Sequence, residues 1–222
     1  MPDTRPPQSH PFPLPHARRA EERLLQGLED LGLDPALAPP LMAYLGLLLR
    51  WNRAYNLTAV RDPLDMVTLH LLDSLAVLPQ VQGPRLLDVG SGAGLPGIPL
   101  ALARPDWAVT LLDAVGKKVR FLRQAALELG LGQLEPVHAR VETYRPQQGF
   151  DTVISRAFAA TGDFVRLAGP LCAPGGRLLA MKGRDADDAA AALPAGWGVA
   201  ATHPLRVPGL PAARHLVEIR RL

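Results

Sequence analysis

An acidic residue followed by a cluster of glycines is the part of this sequence best suited to chemistry. Asp88 lies in the apolar run Arg85–Val89, and four glycines follow at once: Gly90, Gly92, Gly94 and Gly97. Glycine has no side chain and adopts positive φ angles readily, so a ligand can lie directly against the backbone of such a loop. A strand, a glycine-rich turn and a helix in this order are typical of a nucleotide-like cofactor site.

The loop favours a cationic cofactor over a dinucleotide. The segment from Gly92 to Gly97 matches G-x-G-x-x-G, but a match of this length alone is weak. Asp88 would repel a pyrophosphate, and Pro96 and Pro99 occupy the first helical turn, where a pyrophosphate needs free amides. S-adenosylmethionine (SAM) carries an ammonium, a sulfonium and no phosphate. We therefore predict SAM contacts at Asp88, Gly90, Ser91, Gly92 and Gly94; a simple strand-to-helix turn is the alternative.

Two later segments belong to the same predicted site. Asp113 ends the run Val109–Asp113, roughly 20 residues after the loop, where such folds place an acid on the ribose hydroxyls. Both NAD and SAM contain a ribose, so Asp113 supports the fold without selecting the cofactor, and a helix N-cap is the alternative role. Val137–Glu142 ends a strand at a polar turn, the turn that typically contacts adenine in SAM enzymes.

Apolar runs that alternate with helical patterns after residue 83 predict a parallel sheet covered on both faces. The predicted strands lie near 85–89, 108–113, 134–138, 150–155, 176–182, 197–205 and 214–221, and the predicted helices near 96–104, 116–130, 161–171 and 185–193. The last two strands are expected to form an antiparallel hairpin. Helices near 18–31, 39–52 and 63–78 precede the sheet. The predicted fold is a class I SAM-dependent methyltransferase: a Rossmann-like, doubly wound, mostly parallel seven-stranded α/β sheet with an N-terminal helical lobe.

The predicted organisation is a proline-rich arm at 1–17, a helical lobe at 18–80 and a methyltransferase domain at 81–222. The chain has 222 residues, 48% of them hydrophobic, and a formal net charge of +3, which permits a nucleic-acid partner without requiring one. A single cysteine, Cys172, excludes a disulfide framework and a cysteine zinc site within one chain, and its apolar context indicates packing. We expect a soluble cytoplasmic protein without a metal or a membrane anchor.

Six blocks, in order over about residues 50–183, carry a family resemblance: Trp51–Asp62, His70–Leu75, Asp88–Gly97, Gly116–Leu122, Ser155–Phe158 and Ala180–Gly183. They resemble the bacterial 16S rRNA guanine-N7 methyltransferases, also called the glucose-inhibited division protein B family. The resemblance implies methyl transfer from SAM to N7 of a single guanine (guanine-527) in the decoding-region loop of 16S rRNA. It also implies SAM contacts at Gly90, Leu95, Val141, Glu142 and Arg156, and a partner that is 16S rRNA or the small ribosomal subunit.

Guanine N7 has a free lone pair and loses no proton on methylation, so no general base is expected. The candidates for positioning the base are Arg156, Lys182, Asn52 and Asn56; capping of a helix end is the alternative role for the two asparagines. Lys117, Arg120 and Arg123 recur every three residues and, with Lys182, are candidates to bind RNA. A solvated helix face is the alternative for the first three. His70 and Asp73, three residues apart on a helix, are interpreted as a structural hydrogen-bonded pair.

Three other functions remain open from the sequence. The first is a methyltransferase of the same fold that acts on another RNA, a protein or a small molecule. The second is an NAD-dependent oxidoreductase. The third is a ribosome-associated binding protein whose cofactor site is a relic. For the rRNA methyltransferase, a monomer is expected.

Overall fold

The computed structural model describes residues 16–156, 158, 160–183 and 193–222. Most of the predicted arm and nearly all of the predicted helix at 185–193 lie outside the described residues. The helices are α1 (Ala17–Asp30), α2 (Ala38–Tyr55), α3 (Pro63–Met66), α4 (Asp73–Leu75), α5 (Gly97–Ala103), α6 (Gly116–Glu128) and α7 (Thr161–Ala168), with a π-helical stretch at Val67–Leu72 and short 3-10 turns at Pro35–Leu37, Leu78–Gln80 and Gly169–Leu171. The strands are β1 (Arg85–Val89), β2 (Ala108–Asp113), β3 (Leu134–His138), β4 (Phe150–Ser155), β5 (Cys172–Lys182), β6 (Trp197–Leu205) and β7 (Arg214–Arg221).

The seven strands form one sheet in the order β3-β2-β1-β4-β5-β7-β6. Strands β1 to β5 are parallel, and β7 is antiparallel to both β5 and β6. The predicted fold class and closing hairpin are therefore confirmed. The last strand, β7, inserts between β5 and β6. Its central residues 216–219 are buried on both faces, whereas β6 alternates between half-buried and exposed residues and contains Pro204, as an edge strand allows.

The order of the strands reverses between β1 and β4, which lie side by side in the middle of the sheet. In open α/β sheets, ligands bind in the crevice outside the carboxyl ends of the strands at such a reversal. The glycine-rich segment follows β1, and Arg156 follows β4. Both segments therefore lie at the expected crevice.

The N-terminal helices share a hydrophobic core with one face of the sheet. Leu24 of α1, Leu45 of α2 and the π-helical Leu71 belong to the same buried cluster as Leu86 and Leu111 of the sheet. A second cluster, which includes Leu87, Leu112 and Phe164, covers the opposite face. The boundary between lobe and domain at residues 80 and 81 stays a prediction, since one core crosses it.

The predicted third helix differs in its interior. It begins as expected at Pro63, and Asp62 caps it by accepting a hydrogen bond from the Leu64 N–H at 2.7 Å. It then widens into the π-helical stretch and ends at Leu75 rather than at Leu78. In a π-helix the hydrogen bonds span five residues, so the contact rules of an α-helix do not apply to His70 and Asp73.

Candidate active site

The loop after β1 turns through three glycines with left-handed backbone angles. Gly90, Gly92 and Gly94 have φ values of 71°, 60° and 87°. A side chain at Gly94 would in addition collide with Ile98, because an added Cβ would lie 2.4 Å from the Ile98 Cδ1. The loop therefore needs glycine at this point for both its conformation and its packing.

Asp88 lies beneath this loop and has no exposed surface. Its Oδ2 accepts a hydrogen bond from the Gly97 N–H at 2.9 Å, and its Oδ1 is buried without a hydrogen-bond partner among the described residues. Burial raises the pKa of Asp88 to about 7, and the Gly97 amide and the charge of Arg156 oppose the rise. The carboxyl therefore supports the loop from below, and its contact with the cofactor stays a prediction.

Asp113, at the end of β2, holds two segments together. Its Oδ2 accepts from the Gly92 N–H at 2.9 Å and its Oδ1 from the Val115 N–H at 2.8 Å. The Nζ of Lys118 lies 3.7 Å from Oδ2. Asp113 thus fixes the glycine loop and also orders the entry into α6, so the helix-start role foreseen as the alternative is combined with a role at the site.

The start of α5 does not offer a pyrophosphate site. The Gly97 N–H is bound to Asp88, the Ile98 N–H is bound to the Gly94 carbonyl at 2.7 Å, and Pro96 and Pro99 have no N–H. The backbone amides that would receive a phosphate are therefore absent or already satisfied. This geometry agrees with the preference inferred from the two prolines and argues against a dinucleotide.

A cavity of about 320 Å³ opens beside the loop, and we call it the glycine-loop cavity. Its walls are Val89, Gly90, Leu112, Asp113, Ala114, Ala139, Arg140, Val141, Glu142, Phe158 and Leu167. Four predicted cofactor residues meet there: Gly90, Asp113, Val141 and Glu142. The mostly apolar walls suit a flat base, and the carboxylates of Asp113 and Glu142 suit hydroxyl and amino groups.

The other predicted cofactor residues do not line this cavity. Ser91 and Leu95 are 2% and 3% exposed and lie inside the loop. Gly92 and Gly94 shape the loop backbone, and Asp88 lies beneath it. Arg156 lines a different cavity, described below. Direct contact of these six residues with the cofactor stays a prediction.

Sequence reasoning missed three residues that build the site. Phe158 and Leu167 form part of the apolar wall of the glycine-loop cavity. Tyr44 of α2 is fully buried, and its hydroxyl donates to the Ala93 carbonyl at 2.6 Å, which ties the N-terminal helices to the loop. Burial raises the pKa of Tyr44. Its only sequence signal was a place on the apolar side of a helix, where a buried hydroxyl requires a partner.

A second cavity, of about 410 Å³, has Arg156 in its wall, and we call it the basic cavity. Its walls are Val60, Leu69, His70, Asp73, Arg156, Met181, Lys182, Gly183, Leu205, Arg214 and His215. The structure brings the predicted positioning residues Arg156 and Lys182 together here. Arg214 was not anticipated, because it lies in the last strand, far from both in sequence.

His70 and Asp73 do not form the predicted pair. The His70 Nε2 lies 2.9 Å from the Thr58 Oγ1, whereas the Asp73 carboxylate contacts Arg156 at 3.5 Å and Arg214 at 3.2 Å. Burial lowers the pKa of His70 to about 4, so this imidazole is neutral at pH 7. The interpretation as a bonded pair is wrong, because each side chain has found a partner on another segment.

Asn52 and Asn56 line neither cavity. Asn52 is buried, and its Oδ1 accepts from the Thr58 N–H at 2.9 Å. Asn56 ends α2 in a left-handed conformation, with φ 48°, and its Oδ1 accepts from Arg61. The alternative role, ordering the end of the helix, is the one the structure shows; a role of either residue in positioning the base stays a prediction.

Lys117, Arg120 and Arg123 form an exposed row on α6, which we call the basic stripe. Within the described part of the chain these three side chains have no ion pair, unlike the neighbouring Lys118. The structure thus leaves them available to a polyanion and to solvent alike. Lys182 is half-buried instead, and its Nζ donates to the Phe158 carbonyl at 3.0 Å.

Three further expectations concern the cysteine, metal ions and the membrane. Cys172 is buried, and burial raises the pKa of its thiol to about 11, as a packing role requires. Among residues 16–156, 158, 160–183 and 193–222, no His, Cys, Asp and Glu side chains cluster as metal ligands would. In the same part of the chain, no helix has the length and apolar character needed to cross a bilayer.

The sheet order, the glycine loop and the cavity beside it define a class I SAM-dependent methyltransferase. The model of the family "GidB: rRNA small subunit methyltransferase G" matches residues 38–217. The chain is 56% identical over 202 residues to "Ribosomal RNA small subunit methyltransferase G" of Azoarcus sp. (strain BH72), covering 90% of this chain and 95% of that protein. It is 58% identical over 193 residues to the protein of the same name from Alkalilimnicola ehrlichii, covering 86% and 88%. The chain belongs to the rRNA small subunit methyltransferase G (GidB) family.

Solved structures with the same fold are more distant in sequence. The mitomycin 7-O-methyltransferase MmcR matches with a TM-score of 0.59 at 18% identity, covering 92% of this chain and 68% of that one. TrmN from Thermus thermophilus matches with a TM-score of 0.56 at 23% identity, covering 77% and 53%. The glycopeptide N-methyltransferase MtfA, whose structure is a complex with SAM, matches with a TM-score of 0.55 at 14% identity, covering 69% and 87%. These similarities support the fold alone.

The residues at the loop fit SAM. The buried Oδ1 of Asp88 and the buried Oγ of Ser91 lack hydrogen-bond partners among the described residues, so the loop retains unused polar capacity. The negative charge that Asp88 can acquire favours a cationic sulfonium and ammonium over a phosphate. Asp113 and Glu142 would hold the ribose and the adenine amine, and Phe158 would cover the ring.

SAM affinity should rise with pH through about 7, because a bound cation favours the ionised form of Asp88. The pKa of Asp88, raised to about 7 by burial, should fall in the complex, so binding tightens as the pH increases from 6 to 8. The expected gain is up to about tenfold. Titration calorimetry at several pH values measures it, and Asp88→Asn is the matched control, since SAM's own amino group titrates equally with both proteins. Parallel pH profiles for the two proteins would contradict the expectation.

Proposed function

We propose that this protein transfers the methyl group of SAM to N7 of a single guanine in 16S rRNA, at the decoding-region position that the family resemblance implies. The observation that carries the proposal is that, in a chain of the rRNA small subunit methyltransferase G family, Lys182 of the basic cavity donates a hydrogen bond to the carbonyl of Phe158, a residue of the glycine-loop cavity. One cavity suits a nucleoside with a cationic substituent, and the other suits a group linked to a polyanion.

The reaction asks the protein for alignment rather than proton transfer. SAM, when bound, supplies a methyl carbon on a sulfonium: the N7 lone pair forms the new bond to that carbon, and the sulfur keeps the electrons of the broken bond. Since N7 loses no proton, the neutral His70 and the buried Asp88 need not act as bases. The loop, Asp113 and the wall at Phe158 would hold the donor in place, and holding two reactants in line contributes roughly 7–11 kcal/mol to catalysis in favourable cases.

Purified protein, SAM with a labelled methyl group and small ribosomal subunits that lack the modification provide the direct test. Label should enter 16S rRNA as N7-methylguanosine at one position, identified by nuclease digestion and mass spectrometry. Naked 16S rRNA run in parallel shows whether the assembled particle is needed. Label in another base, in ribosomal protein or in a small molecule would overturn the proposal in favour of another methyltransferase activity, and binding of SAM without turnover would indicate a relic site.

The basic stripe is proposed to bind the RNA backbone. Lys117→Glu combined with Arg120→Glu should lower kcat/KM for the RNA by about tenfold or more and reduce the slope of log activity against log salt by about 2, one per lost phosphate contact. SAM affinity should not change. Arg18→Glu with Arg166→Glu alters the net charge equally on α1 and α7, where both side chains are exposed at 89% and 62%, and serves as the control. An unchanged salt slope in the stripe variant would assign α6 to a solvated face.

A protein that methylates ribosomal RNA would act in the cytoplasm. A monomer suffices for the proposed chemistry, because the residues of one chain form both cavities.

A further inference from the structure

The basic cavity contains one carboxylate among several cations. Asp73 is 3% exposed, and it is held by Arg156 from the segment after β4 and by Arg214 from β7. Arg156 also donates to the Leu69 carbonyl at 3.1 Å, which fixes its guanidinium at the cavity wall. Three distant parts of the chain thus converge to place one acceptor group at this wall.

The cavity lies next to the site of the methyl donor. The Nζ of Lys182, in the basic cavity, donates to the carbonyl of Phe158, whose side chain lines the glycine-loop cavity. The positive charge of Arg156 acts on Asp73 and His70 in the wall of the basic cavity and also on Asp88 beneath the glycine loop. A group seated in the basic cavity would therefore be adjacent to the donor.

The size and the lining suit one nucleobase. A volume of about 410 Å³ falls in the range of roughly 300–1,000 Å³ that small-ligand sites occupy. Val60, Leu69 and Met181 give apolar surface, and Arg214 and Lys182 give positive charge for the attached phosphate. An enzyme that modifies one base must take it out of its stack into such a pocket.

Asp73 has the chemistry to recognise guanine by its Watson–Crick edge. Guanine presents two donors there, N1–H and the 2-amino group, whereas adenine presents an acceptor at N1. A carboxylate only accepts, and its two oxygens offer about four lone-pair sites, of which the two arginines use part. Recognition at this edge leaves N7, on the opposite edge, exposed to the methyl donor.

We propose that the basic cavity receives the target guanine and that Asp73 accepts hydrogen bonds from its N1–H and 2-amino groups. This inference rests on the proposed function and names its specificity determinant. The same carboxylate would lie near the positive charge that the base acquires on methylation, which favours the transition state. Arg156 and Arg214 are positioning residues that hold the acceptor.

Inosine tests the inference without altering the protein. It lacks only the 2-amino group of guanine and retains N7. Small subunits reconstituted with 16S rRNA that carries inosine at the target should be methylated by the natural protein with a kcat/KM about 10- to 100-fold lower than for guanine, since a hydrogen bond to a charged group is lost. Equal rates for inosine and guanine would overturn the inference while leaving the proposed function intact. If neither base is methylated, the proposed function itself fails.

Asp73→Asn, tested with guanine and with inosine, completes a double-mutant cycle between the carboxylate and the 2-amino group. This variant should be slow with guanine, its remaining preference for guanine over inosine should fall to about threefold or less, and its affinity for SAM should stay unchanged. Asp163→Asn, at an exposed ion pair with Arg166 on α7, is the control and should discriminate like the natural protein. A variant that is slow yet keeps the full preference would show that Asp73 supports the fold and does not recognise the 2-amino group. Loss of folding, seen by circular dichroism, would leave the inosine comparison as the deciding measurement.

Discussion

Replacing Asp113 with alanine is expected to weaken SAM binding by about 100-fold or more, roughly 2.7 kcal/mol. Asp113 holds the Gly92 N–H at 2.9 Å and the Val115 N–H at 2.8 Å, and hydrogen bonds to a charged group contribute about 1.5–3 kcal/mol each. Its loss would release the glycine loop and the start of α6 together. The proposed contact with the ribose would be lost as well, so SAM binding should weaken in addition to the loss of folding stability.

Calorimetry with SAM and with its demethylated product measures the change. Asp106→Ala is the matched control, because Asp106 is exposed in the turn before β2 and should bind SAM like the natural protein. Asp113→Asn should be intermediate, since an amide oxygen keeps one acceptor. A dissociation constant for Asp113→Ala within threefold of the natural value would show that this carboxylate is not part of the SAM site.

Replacing Gly94 with alanine should lower the free energy of unfolding by about 2–5 kcal/mol and weaken SAM binding by about tenfold or more. Two costs combine at this position. The backbone has φ 87°, which an L-residue adopts at a cost of roughly 1–2 kcal/mol. The added methyl would also lie 2.4 Å from the Cδ1 of Ile98 and 3.0 Å from the Cδ2 of Leu122, both fully buried.

Gly130→Ala separates the two costs. Gly130 follows α6 with φ 66°, and an added methyl would meet nothing within 4 Å. The free energy of unfolding of Gly130→Ala should fall by about 1–2 kcal/mol because of the backbone conformation alone, and this variant should bind SAM normally. Urea denaturation gives the unfolding free energies. If Gly94→Ala were no less stable than Gly130→Ala, the collision with Ile98 would be relieved by local movement, and the packing of the loop would not depend on glycine.

The strands and the loop could be predicted because their signals are local. Strands buried on both faces appear as continuous apolar runs, and the predicted ranges at 85–89, 108–113, 134–138 and 150–155 coincide with the strands of the structure. The glycine spacing and Pro96 and Pro99 also act locally, because backbone angles and missing amides belong to the residues themselves. Family membership followed from the same short motifs.

The partners of polar side chains could not be predicted in this way. His70 and Asp73 each bond to a segment that becomes a neighbour only on folding, and Arg214 reaches Asp73 across 141 residues of sequence. A local sequence pattern indicates which hydrogen bonds or charges a side chain can offer. It does not indicate which group will be its partner. The same limit applies to Asp88, because the local pattern does not reveal that its carboxyl lies beneath the loop and accepts from the Gly97 N–H.

By itself, the sequence determined the order of helices and strands, the glycine turn, and an acid at the end of β2, because these depend on residues close together along the chain. The tertiary structure decided that Arg156 lines the basic cavity and not the glycine-loop cavity. It also decided that β7 lies between β5 and β6 and that two arginines contact Asp73. These features depend on contacts between distant segments, whose geometry is set by how the whole core packs.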